Sequence, residues 1–161
     1  MVSIAFLCFF SGIVFSFAAL ILFNVMPERY DILFDKAVDI AIALFLTSVL
    51  SYWHEKKKDA ISKVYEYVSN SENYFLDALK SGYAYADQLY NFEEAIKYIN
   101  MASERANHIR NKKILRNADE ISRSISSCIE LLNSQQHDRY VNQCSKTRNL
   151  FLDLINRILN L

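Results

Sequence analysis

Two apolar stretches open the chain, and apolar positions spaced three or four apart fill the rest. Ser3 to Asn24 is apolar almost throughout, and Ala37 to Trp53 is interrupted mainly by Asp39 and small hydroxyl residues. From Asp59 onward the period is that of an amphipathic helix. Ala60, Ile61, Val64 and Val68 mark a first stripe, and Phe75, Ala78, Leu79, Ala86 and Leu89 a second. Phe92, Ala95, Ile96, Ile99, Ala102, Ala106 and Ile109 follow, then Ala118, Ile121, Ile125, Cys128 and Leu132. Val141, Cys144, Arg148, Phe151, Ile155 and Ile158 complete the pattern. Helix starts are predicted at Ser71, at Asn91 before Glu94, and at Asn117 before Glu120, where cap-forming residues precede apolar runs. With two Gly and one Pro in 161 residues, little opposes helix formation. The predicted fold class is all-α. A two-helix transmembrane hairpin (residues 1–55, spans about 3–24 and 37–53) precedes an antiparallel bundle of four or five helices over 56–161.

The first stretch as a helix reaches about 33 Å, enough for a hydrocarbon core of about 30 Å. A cleaved signal peptide fits less well, because no basic segment precedes the run and no small-residue cleavage site follows it. The second stretch is shorter, but Tyr52 and Trp53 suit an interfacial aromatic belt. Lys56, Lys57 and Lys58 follow at once, so the positive-inside rule puts them in the cytoplasm together with both termini.

Each stretch carries a seam of small residues. Asp39, Ala43, Thr47 and Ser51 recur every fourth position, and Gly12 and Ser16 form a small-xxx-small pair. Small residues let helix backbones approach closely. Asp39 is an ionisable group at the end of an apolar run, where it either reaches outward or lines a polar path in an oligomer. The seams therefore predict packing of the two helices on each other or homo-oligomerisation.

The net charge of zero hides segregation. Residues 1–27 carry no charged side chain, whereas 54–161 hold 16 of the 18 Lys and Arg and 14 of the 18 Asp and Glu. Residues 59–104 contain eight acids against three lysines. Arg105, Arg110, Lys112, Lys113 and Arg116 then follow without an acid between them. This cluster is the predicted phosphate-, nucleic-acid- or partner-binding group, weighed against a solvated turn. Seven of the ten tyrosines lie between Tyr65 and Tyr98, a composition shared by contact surfaces and small cores. Cys8, Cys128 and Cys144 are too few and too scattered for a disulfide framework and read as buried free thiols.

No chemistry emerges from motif spacing. Gly12 and Gly82 lie too far apart to build a phosphate-binding loop, and His54, His108 and His137 lack metal-ligand spacing with the cysteines. The chain reads as a non-enzyme without a cofactor or metal. Two apolar stretches, three lysines and a helical remainder resemble the two-transmembrane-helix effectors of bacterial anti-phage abortive-infection systems, including some encoded with retrons. That resemblance implies an inner-membrane effector, held inactive by a protein or nucleic-acid partner, that permeabilises the bilayer when triggered. The cluster from Arg105 to Arg116 would then be the sensing surface. The alternative expectation is a tethered helical adaptor that recruits a cytoplasmic protein.

Overall fold

Scarce helix breakers give long helices. A computed structural model describes Gly12, residues 31–80 and residues 84–161. Among these residues four helices of defined extent follow one another and no strand occurs: α1 (Asp31–Ala78), α2 (Tyr85–His108), α3 (Lys112–Asn133) and α4 (His137–Leu159). The chain divides into two compact units, Met1–His54 and Glu55–Leu161.

In the second unit, the rest of α1 joins α2, α3 and α4 in an antiparallel four-helix bundle. Val64, Val68, Phe75 and Ala78 of α1 share one core with Phe92, Ala95 and Ile99 of α2. Ile114, Ile121 and Ile125 of α3 and Phe151 and Leu154 of α4 complete it. Phe75 is the hub. Its ring lies 5.8 Å from that of Phe92 and 5.6 Å from that of Phe151, all three fully buried. Polar ties fix the register on the rim. Ser103 donates to Asp119 at 2.8 Å and Ser122 to Asn100 at 3.1 Å, joining α2 to α3.

The expected break at Ser71 does not occur. Ser71 lies inside α1, fully buried, and its hydroxyl donates to the Ala95 carbonyl of α2 at 2.6 Å. A hydroxyl that caps in isolation instead ties two helices when a neighbour offers an acceptor. Asn91 and Asn117 are likewise helix-interior, within α2 and α3. The cap of α3 is Asn111, whose side chain accepts from the Ile114 amide at 3.2 Å.

Both turns between the last three helices close in the same way. Arg110 N–H donates to Asn107 O at 2.9 Å and Asn111 N–H to Ala106 O at 3.1 Å. Gln135 N–H donates to Leu132 O and Gln136 N–H to Leu131 O, both at 3.3 Å. This is the Schellman pairing, which needs a left-handed residue just past the helix. Arg110 (φ 54°) and Gln135 (φ 57°) hold that position where glycine is usual. A side chain there costs about 1–2 kcal/mol. Arg110→Gly is expected to raise the unfolding free energy by about 0.5–1 kcal/mol, the strain relieved less the chain entropy gained by glycine. Urea denaturation checks this, and a loss of stability would contradict it.

The expectation of a multi-pass inner-membrane protein is overturned. Among the described residues no helix is long and apolar enough to cross a membrane. The physical reason is the length of the apolar run. Between Asp39 and Ser51 it is already broken by Thr47 and Ser48, and Ile40 to Leu50 spans only about 16 Å of helix, against about 30 Å of hydrocarbon. The multi-pass placement with both termini in the cytoplasm falls with it. Residues 3–24, apart from Gly12, lie outside the described residues. So does Ser16.

Candidate functional site

Three places on the described chain hold more than core packing. The first is the α1 segment Val38 to Trp53. Ile40 is 61% exposed, Leu50 69% and Trp53 68%, and Ile42, Leu44, Phe45 and Leu46 are also exposed. These positions are distributed around the helix, so its apolar surface is not one stripe turned to the core. A helix apolar on all sides belongs in surroundings that cover it on several sides. Asp39, Ala43, Thr47 and Ser51 are exposed along the same segment, four residues apart. Thr47 donates to Ala43 O and Ser48 to Leu44 O, each at 2.8 Å. Their hydroxyls are thus turned onto the helix backbone, so that Ala43 and Thr47 form a low strip on the helix surface. Gly12 is helical and exposed, and a Cβ added there would meet no described atom within 4 Å.

The second place is the turn between α2 and α3, where the basic cluster is divided. Arg105 turns to α1 and lies 4.0 Å from the Asp59 carboxylate, which Lys63 also approaches at 3.8 Å. Its buried Nε has no hydrogen-bond partner. Arg110, Lys112, Lys113 and Arg116 are exposed. Lys113 alone of the five lines an open cleft of about 340 Å³, with Asn111, Asp153, Asn156 and Arg157. Arg157 joins it from α4, a neighbour that the local sequence does not reveal. Asp153, 3.7 Å from Arg157, offsets part of the positive charge.

The third place is a polar strip buried between α3 and α4. Gln143 Nε2 donates to Ser124 Oγ at 2.9 Å, and Ser124 and Thr147 share a hydrogen bond of 2.7 Å. Thr147 Oγ1 donates to the Gln143 carbonyl at 2.9 Å, which closes the ring and makes Ser124 the donor to Thr147. Beside this ring, the Cys144 thiol donates towards Cys128, sulfur to sulfur 3.6 Å, and Thr147 Oγ1 lies 3.5 Å from the Cys128 sulfur. The hydrogen bond from Cys144 holds the Cys128 thiol below its usual range. The same donation, with burial, pushes Cys144 up. Burial likewise raises the Tyr140 phenol, and the neighbouring Cys144 adds to the shift.

The tyrosines do not form one surface. Tyr74 and Tyr98 stack at 5.5 Å between α1 and α2, while Tyr65, Tyr85 and Tyr90 are exposed. Tyr83 lies outside the described residues. Among the described residues no three His, Cys, Asp or Glu side chains are grouped to hold a metal ion. Comparison with protein-family models, curated proteins and solved structures finds no match to this chain.

Proposed function

We propose that this chain is a self-associating helical adaptor, in which the α1 segment Val38 to Trp53 pairs with the same segment of a second copy. The single observation that carries the reading is the exposure of large apolar side chains around that segment. Water contact with Ile40, Leu50 and Trp53 is costly at about 25 cal/mol for each Å² left uncovered.

A second copy suits the segment for two reasons. The strip of Ala43, Thr47 and Ser51 is self-complementary about Thr47, since a two-fold axis there sets Ala43 of one copy opposite Ser51 of the other. The antiparallel order also carries the Asp39 end of one helix towards the other's end at His54 to Lys58, where Glu55 stands opposite Asp39 in this register but is outnumbered by the lysines that follow it. Opposite charges at those ends favour this orientation over the parallel one. The bundles carried by the joined helices then present exposed faces to a protein partner, with Tyr65, Tyr85 and Tyr90 among their contact residues. A permeabilising action would require crossing helices, and the adaptor reading does not.

Sedimentation velocity of the full chain tests the proposal. A dimer at micromolar concentration is expected. A monomer at every concentration up to about 100 μM, in a range where specific dimers assemble, would overturn it.

A further inference from the structure

We propose that Cys128 and Cys144 form a reversible dithiol–disulfide pair, a modification site at which peroxide or a low-molecular-weight disulfide oxidises the bundle.

Geometry comes first. The two sulfurs are 3.6 Å apart on facing helices, both thiols free and buried. A disulfide needs about 2.05 Å between sulfurs, a closure within the reach of side-chain rotation. The turn between α3 and α4 and the register set by Ser124 and Thr147 bring the two cysteines together, although sixteen positions separate them in the chain.

Chemistry comes second. Buried cysteines among apolar neighbours are inert, because nothing stabilises the thiolate. These two lie against the hydroxyls of Thr147 and Tyr140, and Cys144 donates to the sulfur of Cys128. Cys128 is therefore the sulfur that ionises, and because it is fully buried and Cys144 only 5% exposed, an oxidant reaches it when α3 and α4 part locally. Two sulfurs with no third ligand among the described residues suit a redox couple better than a metal.

With hydrogen peroxide, the Cys128 thiolate attacks one peroxide oxygen. The O–O bond breaks, and the hydroxide released takes up a proton to leave as water. The resulting sulfenic acid is attacked at sulfur by Cys144, whose proton leaves with the sulfenic oxygen as a second water. Two thiols and one peroxide thus give one disulfide and two waters. With a low-molecular-weight disulfide, Cys128 displaces one thiol and Cys144 the other, so the reagent leaves as two thiols and the protein loses two electrons and two protons.

The test uses the full chain in native buffer, treated with hydrogen peroxide or with oxidised glutathione, then unfolded, alkylated and mapped by mass spectrometry. The expected product is a Cys128–Cys144 linked peptide within one chain, with a net loss of about 2 Da for the two hydrogens removed. Dithiothreitol should restore both thiols, and Cys8 should stay alkylatable. Closing the link should raise the melting temperature by several degrees, about what joining two helices across so short a loop gives. Cys8→Ser should leave the product unchanged. Both cysteines remaining alkylatable while free cysteine in the same tube oxidises would overturn the proposal. So would a link that forms only between chains, or oxidation of Cys144 to sulfinic acid with Cys128 untouched.

Discussion

Phe75→Ala is expected to lower the unfolding free energy by about 3–5 kcal/mol, the range for emptying a buried aromatic site. The reason is its place at the meeting of three helices. Its ring touches Phe92 of α2 at 5.8 Å and Phe151 of α4 at 5.6 Å, and none of the three is open to solvent. Truncation removes the transfer free energy of one ring and two aromatic contacts, each worth about 0.5–1.5 kcal/mol beyond its area. It also leaves a void between helices whose register is already fixed by Ser71 on Ala95 and Ser124 on Thr147, so collapse is limited. Urea denaturation followed by circular dichroism gives the value. Tyr90→Ala, at a 58% exposed site, is the control and should stay within about 0.5 kcal/mol of the parent. A Phe75→Ala loss as small as the control's would mean that the three helices do not share one core.

Ala43→Trp is expected to weaken self-association at least about 100-fold, equivalent to about 2.7 kcal/mol. Packed helices lie 8–10 Å apart, and an indole at the point of closest approach cannot be accommodated. On a single chain the same indole is harmless, because Ala43 is exposed and its neighbours along the helix are Asp39 and Thr47. Helix content and bundle stability should therefore be unchanged while the dimer dissociates. A variant that dimerises like the parent would remove the Ala43 strip from the interface.

The periodicity of Phe92, Ala95, Ile99, Ala102 and Ala106 was legible because a buried stripe repeats with the helix itself. The turns were harder to place. Sequence reading looks for glycine after a helix, and here Arg110 and Gln135 take the left-handed positions instead. Asparagine was an ambiguous marker for the same reason. Asn91, Asn111 and Asn117 all precede apolar runs, but only Asn111 follows a Schellman turn that frees it to cap. Ser71 suggests a break from its local sequence alone, but its role depends on Ala95, which lies in another helix.

The candidate sites divide along the same line. Asp39, Ala43, Thr47 and Ser51 recur every fourth position, and all four are exposed on α1. The stretch from Ala37 to Trp53 is marginal for a span, because Asp39, Thr47, Ser48 and Ser51 interrupt its apolar run. Arg105 and Lys113 stand in one basic run, yet one answers Asp59 of α1 and the other faces Arg157 of α4 across a cleft. Cys128 and Cys144 each read as a stripe residue. Their contact is set by how α3 lies on α4, which no local pattern encodes.

The central claim is that two copies meet about Thr47, and a Thr47→Cys variant in a Cys8→Ser background tests it most directly. A two-fold axis there predicts a covalent dimer through residue 47 on mild oxidation, formed well ahead of that from Ile42→Cys in the same background. Equal cross-linking at both positions, or none at residue 47, would contradict the self-association of α1.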